Sequence, residues 1–308
     1  MSQGIPIFFM HNGNSDYLKY SLHQAPISNP SSDVYLIGDE SNNMYPGINH
    51  MVIKNHFGEA AEFEKIYKHL STNTRGFELF CFQRWFVLLE IMKVKNLDLV
   101  FFSDSDLMVY GDLNEVHANL GMENIAFCIP DRQTKFRWTA SGHSSFWTQK
   151  GFEEFCAFTM EIYAGDGLQK LEAKWDWQQE HNLSGGVCDM TLLYLFYEAH
   201  PDKVVNLLEE RNGSAFDLSV NVSENLKADE YKMKGKFKSF SWKGNQPFAH
   251  KSENDAAVAF NTIHFQERAK LLMHRFYRGS DLKYSKGVSE FKRFSLTTAR
   301  KLKAKLNG

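Results

Sequence analysis

Apolar and polar segments alternate along the first third of the chain in an order that predicts strands and helices in turn. Short apolar runs that stop at turn-forming residues predict strands at Ile5–Met10, at Val34–Ile37 and in the segment that ends at Asp104. The segments between them predict helices at Tyr17–Gln24, ending before Pro26, at Glu59–Leu70 and at Phe77–Lys95. This order predicts an α/β fold with a mainly parallel central sheet flanked by helices.

The alternation continues through the rest of the chain, without an internal repeat or a linker-like stretch. Further strands are predicted at Ile125–Pro130, Ser144–Thr148 and Ala257–Phe265, and further helices at Gly151–Ala164 and Asp189–His200. Ligands of such sheets bind beyond the carboxyl ends of the strands. Polar residues that directly follow predicted strands are therefore the first candidates for a functional site.

Two carboxylates follow the most apolar of the predicted strands. The apolar run that ends at Phe102 leads into Asp104-Ser105-Asp106, and alternate residues of an extended chain point the same way. Neighbouring carboxylates repel each other unless a proton or a cation lies between them. Oxygen ligands favour Mg²⁺ or Mn²⁺, which proteins often share with substrate phosphates. The pattern therefore predicts a site for a metal ion and a diphosphate.

Three other interpretations of Asp104 and Asp106 stay open at the level of sequence. The two acids could be solvated turn residues or helix caps, or one could be the nucleophile of a phosphatase-type site. Phosphatase-type motifs usually have Thr or Val two residues later, where this chain has Met108. A calcium loop needs more oxygen ligands than the apolar residues 107–110 offer.

A second group of polar residues follows the last predicted strand. His264 stands near the end of that strand, and Lys270 follows six residues later. A neutral imidazole suits Mn²⁺ as a third protein ligand, and a lysine ammonium would neutralise a phosphate. A histidine beside Phe265 is also common as a plain core or surface residue. The segment therefore supports a metal site only in combination with Asp104 and Asp106.

In combination, the two groups resemble the GT-A glycosyltransferases, which have a Rossmann-like core and use nucleotide sugars. The triplet 104–106 is similar to their Asp-x-Asp motif. His264, Phe265 and Lys270 are similar to the His-Phe-x-Gly-x-x-Lys segment of the glycogenin-like and galactosyltransferase branch. The likeness extends over roughly residues 5–270. It departs from that branch at Glu267, where the branch has Gly, and no Pro-Trp follows the lysine.

The resemblance implies a metal-dependent, hexosyltransferase-like enzyme of the kind found in polysaccharide biosynthesis. It implies that Asp104, Asp106 and His264 bind Mn²⁺ or Mg²⁺, and that Lys270 meets the diphosphate of a UDP- or GDP-sugar. Arg84, in the helix before the Asp-x-Asp strand, matches a basic residue that often contacts the nucleotide or the diphosphate. The acceptor would be a glycan or a lipid-linked glycan.

The resemblance also implies a division of the chain. Residues 1–267 would form the catalytic domain, with a nucleotide-binding part at about 1–112 and an acceptor part at about 113–267. Asp189 opens an apolar helix directly after a turn that contains two glycines. It is the candidate catalytic base of an inverting reaction, or a sugar-binding acid in a retaining one, and an ordinary helix-start residue is the alternative.

The nucleoside is expected near polar residues that follow the first two strands. His11, Asn12 and Asp16 follow the first strand, Asp39 follows the second, and Ser105 lies inside the Asp-x-Asp motif. The residues after these two strands are equally well explained as turn formers.

Two further segments have candidate roles in sugar binding. Residues 141–145 could contact the donor sugar or form a polar loop. Trp175 and Trp177, which have polar neighbours, could stack on an acceptor sugar or belong to the ordinary surface.

Charge is distributed unevenly along the chain. Residues 268–308 contain 12 basic and 2 acidic residues, whereas residues 1–267 contain 23 basic and 35 acidic residues. Residues 291–306 have the pattern of a basic amphipathic helix, which predicts a basic helical tail. The tail would lie peripherally on an anionic membrane or pack on the acidic body. No recognition motif supports nucleic acid as the anionic partner.

Location is predicted from the absence of targeting features. The chain has no apolar stretch of about 18 residues and no signal-peptide core at its start, and its four cysteines form no Cys-x-x-Cys pair. A cytoplasmic protein, peripheral at a membrane if the tail binds one, is therefore expected. The alternative functions are a sugar-nucleotide pyrophosphorylase and a non-catalytic nucleotide- or carbohydrate-binding protein of the same fold.

Overall fold

The computed structural model of the chain describes residues 4–121 and 125–282, and its core is a seven-stranded sheet. Along the described chain the strands are β1 (Ile7–Met10), β2 (Val34–Gly38), β3 (Asn49–Val52), β4 (Leu99–Asp104), β5 (Leu107–Val109), β6 (Ile125–Cys128), β7 (Ser141–Thr148), β8 (Val204–Asn206), β9 (Ser214–Ala215), β10 (Met233–Lys234), β11 (Phe237–Lys238), β12 (Phe240–Lys243), β13 (Gln246–His250), β14 (Ala257–Phe260) and β15 (Thr262–His264). The central sheet has the order β3-β2-β1-β4-β7-β6-β8, and its pairs are parallel except those that β7 makes. The predicted mainly parallel α/β sheet is confirmed.

Helices cover both faces of this sheet. Along the described chain they are α1 (Leu18–Ser28), α2 (Gly58–Ile66), α3 (Arg75–Lys95), α4 (Leu113–Leu120), α5 (Gln149–Ala164), α6 (Gly167–Glu180), α7 (Asp189–Ala199) and α8 (Met273–Phe276), with 3-10 helices at Glu40–Asn42, Ile53–His56, Pro201–Lys203 and Glu267–Leu272. Phe8 of β1 packs in one core with Trp85 of α3, while Phe9 packs in the other with Leu18 and Leu22 of α1. Successive strand residues point to opposite faces, so the continuous apolar sequence of β1 suits a strand that is buried on both sides.

A short antiparallel pair outside the central sheet brings the C-terminal polar group to the Asp-x-Asp turn. β15 pairs with β5, and His264 lies opposite Leu107. The backbone N–H of Phe265 donates to the carbonyl oxygen of Asp106 at 2.9 Å. This pairing fixes the distance between two segments that lie far apart in the sequence.

Two predicted boundaries were wrong for identifiable reasons. The first helix continues through Pro26 to Ser28, because tertiary hydrogen bonds anchor its end: Ser28 Oγ donates to the Val109 carbonyl at 2.9 Å and Asn29 Nδ2 to the Gly111 carbonyl at 3.1 Å. These anchors outweigh the lost proline hydrogen bond.

The strand predicted at Ala257–Phe265 is two strands that change partners at Asn261. β14 belongs to a four-stranded sheet with the order β12-β13-β14-β9, whereas β15 pairs with β5. The carbonyl oxygen of Asn261 accepts from the N–H groups of both Tyr110 and Gly111. Sequence periodicity cannot detect such a change of partner, because the side chains keep alternating.

No helix in the described ranges is long and apolar enough to cross a membrane. The predicted tail helix at residues 291–306 lies outside the described residues. The proposed domain division at residue 267 stays a prediction.

Candidate functional site

The carboxyl end of β4 carries a group of side chains that could hold a metal ion. Single ligand atoms of Asp104, Asp106 and His264 all lie within 4.8 Å of one another. Asp104 is the last residue of β4, and Asp106 follows in the turn before β5. Two carboxylates and one imidazole are a donor set that suits Mn²⁺ or Mg²⁺.

The orientation of His264 suits a metal ligand. Its Nδ1 lies 2.9 Å from the carbonyl oxygen of Leu218, which can only accept, so Nδ1 carries a proton and donates. Its Nε2 faces Asp106 Oδ1 at 3.4 Å. Such a hydrogen bond on the far nitrogen is the usual way in which a metal-binding histidine is oriented. In its neutral form, the ring therefore presents the Nε2 lone pair to the carboxylates.

The charges of this group depend on one another. Burial alone would lower the pKa of His264, but Asp106 raises it to about 9. Burial alone would raise the pKa of Asp106, but His264 and Lys270 hold it below its ordinary value. Burial raises the pKa of Asp104, Arg84 opposes that rise, and Asp106 adds to it. The two acids are therefore balanced by the positive charges of Arg84, Lys270 and protonated His264. A divalent ion that bound to them would displace the proton of His264.

Lys270 reaches the same carboxylate from the 3-10 helix that follows β15. Its Nζ lies 3.0 Å from Asp106 Oδ2 and 5.3 Å from the centroid of the Tyr17 ring. Glu267, where the resembling branch has Gly, adopts the left-handed backbone conformation with φ 48°. The turn that glycine would favour is therefore made here by a glutamate, and the lysine still reaches the site.

Arg84 links the Asp-x-Asp strand to the start of α7. Its Nη1 donates to Asp104 Oδ1 at 2.8 Å, and its Nη2 donates to Asp189 Oδ2 at 2.5 Å. The guanidinium carbon lies 4.6 Å from the centroid of the Trp85 ring, and Trp85 Nε1 also donates to Asp189 Oδ2, at 3.1 Å. Burial alone would lower the pKa of Arg84, but the two carboxylates raise it above its ordinary value. Arg84 is thus a fixed positive charge beside the candidate metal ligands.

A buried ion pair supports His264 from behind. Asp217 and Lys238 are fully buried, and Lys238 Nζ lies 2.6 Å from Asp217 Oδ1. The ammonium also donates to the carbonyl oxygens of Ser219 at 2.8 Å and Glu224 at 3.0 Å. The other carboxylate oxygen, Asp217 Oδ2, accepts from the backbone N–H of His264 at 3.0 Å. Every polar group of the pair is therefore used, as a buried ion pair requires.

A second histidine packs against the ring of His264. The rings of His143 and His264 are stacked with their centroids 4.2 Å apart. His143 Nε2 lies 2.8 Å from the carbonyl oxygen of Asp217, and its Nδ1 lies 2.7 Å from Ser141 Oγ. Burial is the main reason why the pKa of His143 lies well below its ordinary value, and the nearby charge of His264 lowers it further. His143 is therefore a neutral neighbour that fixes the plane of the His264 ring.

A cleft of about 940 Å³ is lined by the metal-ligand group together with Arg84, Asp189 and Lys270. Residues of the segment that leads into β7, of α6 and of the glycine-containing turn before α7 also line it. These include Arg137, Trp138, Thr139, Lys174 and Gly186. Sequence reasoning did not select Arg137, Trp138 or Lys174, because no local pattern distinguishes them.

The structure brings some predicted nucleoside-binding residues to the cleft and leaves others away from it. Ser105 lines the cleft, and its Oγ lies 2.9 Å from Nδ1 of His11, which does not itself line the cleft. Asn12, Asp16 and Asp39 do not line it. Asp39 accepts hydrogen bonds from the backbone N–H groups of Gly13 and Ser41, as a turn-forming acid does.

The expectations for sugar contacts need correction. Residues 141–145 are part of strand β7, and only Ser141 among them lines the cleft. Trp175 and Trp177 both lie on α6, are half-buried, and do not line the cleft. Because residues two apart on a helix point to different sides, the two indoles do not form one platform.

No protein-family model and no curated protein matches the chain. Among solved structures, it is similar to the WbbM bifunctional glycosyltransferase, with a TM-score of 0.50, 12% identity, and coverage of 92% of this chain and 51% of that one. It is also similar to mouse xyloside xylosyltransferase 1, with a TM-score of 0.48, 9% identity, and coverage of 66% and 85%. For the PaToxG glycosyltransferase the TM-score is 0.38, with 11% identity and coverage of 64% and 70%.

The likeness to WbbM concerns the fold, because identity is low and the chain spans about half the length of that protein. The other two likenesses, with TM-scores below 0.5, are too loose to add to it. The mainly parallel central sheet with helices on both faces agrees with this likeness. The chain therefore has a GT-A-like fold.

Proposed function

We propose that this chain is a metal-dependent glycosyltransferase that moves a sugar from a nucleoside-diphosphate sugar to a hydroxyl group of a glycan or glycolipid acceptor. The observation that carries the proposal is the convergence of Asp104, Asp106 and His264 within 4.8 Å, at one wall of an open cleft. A structural role alone does not explain why two acids and an imidazole face a cleft together. Clustered ionisable groups with shifted pKa values in a cleft are typical of functional sites.

In this proposal the three ligands hold Mn²⁺ or Mg²⁺, which when bound stabilises negative charge on the leaving nucleoside diphosphate. Lys270, 3.0 Å from Asp106 Oδ2, lies next to the place where the diphosphate would meet these ligands. Arg84 is fixed by Asp104 and therefore keeps its position during the reaction. Fixed positive charges of this kind stabilise a transition state because they need no reorganisation.

Asp189 is proposed to face the reacting sugar or the acceptor. Its Oδ2 already accepts from Arg84 and Trp85, and its Oδ1 accepts from the backbone N–H of Met190 at 2.9 Å. In an inverting reaction it would take the proton of the attacking hydroxyl, and in a retaining one it would orient a hydroxyl of the donor sugar.

The base of the nucleotide, UDP or GDP, is expected near His11 and Ser105, which touch each other at the edge of the site. A sugar-nucleotide pyrophosphorylase is the rival with the same fold, but the residues after β1, from His11 to Asp16, include no Lys or Arg that could hold a triphosphate. A hexosyl donor, a role in polysaccharide biosynthesis, a cytoplasmic location and peripheral membrane contact through the basic tail belong to the proposal as well.

The experiment that tests the function is hydrolysis of donor sugars without an acceptor, because most glycosyltransferases slowly hydrolyse their donors. A panel of UDP- and GDP-sugars is incubated with Mn²⁺, and release of the nucleoside diphosphate is measured. Release that depends on Mn²⁺ and is lost in Asp106→Asn supports the proposal. Nucleotide binding without release from any donor would favour the non-catalytic alternative.

A further inference from the structure

A second part of the cleft wall, formed by the segment before β7, contains backbone strain. Phe136 and Trp138 have φ values of 58° and 37°, in the left-handed region that bulky residues rarely adopt. Both lie in the segment before β7, and Trp138 lines the cleft. Strained residues of this kind cluster at ligand sites, where the surrounding structure holds them in place.

A buried lysine holds this strained segment. Lys174 of α6 is 2% exposed, and its Nζ donates to the carbonyl oxygens of Phe136 and, at 3.2 Å, Arg137. In residues 4–121 and 125–282, no carboxylate oxygen lies within 4.0 Å of this ammonium, so no acid there balances its charge. Burying an ammonium without an acid is costly, and a neutral donor would satisfy the same carbonyls more cheaply.

Lys174 belongs to the lining of the cleft although it is almost fully buried. Lys174, Arg137 and Trp138 all line it, and Lys174 Nζ lies 5.8 Å from the centroid of the Trp138 ring. A lysine has three donors, and the two carbonyls use two of them. Burial lowers the pKa of Lys174, which reflects the absence of a balancing acid. An anion in the cleft would supply both the third acceptor and the missing negative charge.

The lining of the cleft therefore contains two chemically different groups. Asp104, Asp106 and their cations form one, where the proposed function puts the donor diphosphate. The second contains Trp138, which is half-buried, and an indole is the kind of ring that packs against the C–H face of a pyranose. Lys174 Nζ lies 5.8 Å from the centroid of that ring, and Arg137, the preceding residue, lines the cleft and pairs with Glu224 at 3.2 Å.

We propose that Trp138, Arg137 and Lys174 form the acceptor subsite, and that the acceptor sugar carries an anionic group, a carboxylate or a phosphate. The indole would pack against the sugar ring, and Lys174 would meet the anion. The identification of the bound sugar as the acceptor rests on the proposed function. The binding of an anionic sugar at this wall stands on its own and can be measured without any transfer reaction.

The test measures binding of methyl β-glucuronide, glucose 6-phosphate and methyl β-glucoside to the full chain with Mn²⁺ and UDP, by saturation-transfer NMR titration. The wild type should bind one or both anionic sugars about 10- to 100-fold more tightly than the neutral glucoside, as expected for a hydrogen bond to a buried charge. The anionic sugar with the higher affinity shows whether the acceptor carries a carboxylate or a phosphate. Equal affinity for all three sugars, or no binding, overturns the proposal whatever the variants do.

Lys174→Gln separates the charge from the structural role, because glutamine keeps two donors for the two carbonyls. It should keep the glucoside affinity and lose the preference for the anionic sugar. Retained preference in this variant would overturn the proposal. Lys203→Gln is the control: Lys203 does not line the cleft, is half-exposed and pairs with Glu154 at 2.7 Å, and its replacement should change neither affinity.

Trp138→Leu should weaken the binding of all three sugars to a similar extent, because it removes the ring surface and leaves the charge of Lys174 in place. Unchanged binding in this variant would place the sugar elsewhere and contradict the proposal. If anionic sugars bind as expected but no donor is hydrolysed, the proposed transferase function fails while the anionic sugar site stands.

Discussion

Replacing Lys238 by Met should destabilise the protein and weaken metal binding together, because this buried lysine supports the candidate metal ligand His264. The substitution leaves the carboxylate of Asp217 fully buried without its counter-ion at 2.6 Å, and it removes the donor of the Ser219 and Glu224 carbonyls. Breaking a buried ion pair by removing one partner typically costs about 3–5 kcal/mol. For a chain of 308 residues, whose unfolding entropy is about 0.65 kcal/mol/K, that corresponds to a drop in Tm of about 5–8 °C.

The same substitution acts on the metal site through the hydrogen bonds that Asp217 and Leu218 make to His264. Asp217 Oδ2 accepts from the backbone N–H of His264, and Leu218, the next residue, accepts from its ring. Movement of this segment misaligns Nε2, and loss of such supporting contacts typically weakens metal affinity about 10- to 100-fold. Lys251→Met is the control, because Lys251 forms a partly exposed pair with Glu210 at 2.6 Å and should cost at most about 1 kcal/mol.

A double-mutant cycle measured by urea unfolding distinguishes this account from a general loss of packing. Asp217→Asn, Lys238→Met and the double variant are compared with the wild type, and Mn²⁺ affinity is measured for each by calorimetry. The loss in the free energy of unfolding of the double variant should be at least about 2 kcal/mol smaller than the sum of the losses of the two single variants, because the double variant buries no unpaired charge. Additive costs, or an unchanged Mn²⁺ affinity in Lys238→Met, would refute the reasoning.

Three further outcomes are expected. Asp189→Asn should keep Mn²⁺ and nucleotide binding but lower transfer about 10²–10⁴-fold in a coupled assay, whereas lower thermal stability with a normal rate would indicate a structural residue only. Glu267→Gly should leave the free energy of unfolding unchanged or raise it by up to about 1 kcal/mol, because φ is 48° at this residue. Arg268→Gly, outside the left-handed region, should lower the free energy of unfolding by about 0.5–1 kcal/mol, and equal losses in the two variants would contradict this. Between pH 6 and 8, Mn²⁺ affinity should rise about tenfold per pH unit, because the pKa of His264 is about 9 without metal and binding displaces its proton; a flat profile in calorimetry would count against it as a ligand.

Local sequence was sufficient for the acidic half of the site. The apolar run of β4 and the two acids after it share one short segment, so strand periodicity alone predicts that Asp104 and Asp106 lie at the carboxyl edge of the sheet. The addition of His264 and Lys270 depended on the resemblance. The structure gives the physical reason in the pairing of β15 with β5, which no local pattern encodes.

The remaining parts of the site arise from contacts between distant segments. Lys174 holds the backbone of residues 136–137, and Lys238 pairs with Asp217, yet each lysine has the sequence surroundings of an ordinary surface residue. For Trp177 the sequence left sugar stacking and an ordinary surface position open, and the structure places the ring half-buried on α6, outside the lining of the cleft. Burial and partner identity come from tertiary packing, which single-sequence patterns do not contain.

The central claim is that Asp104, Asp106 and His264 hold the metal ion that carries the nucleoside diphosphate. Calorimetric titration of UDP and GDP into the wild type, in Mn²⁺ and in EDTA, tests it most directly, with Asp104→Asn and Asp106→Asn measured in parallel. One of the nucleotides should bind at least about 10-fold more tightly with Mn²⁺, and either substitution should remove this gain while the protein stays folded. Nucleotide affinity that is the same in EDTA as in Mn²⁺, or a Mn²⁺ gain that survives both substitutions, would contradict it.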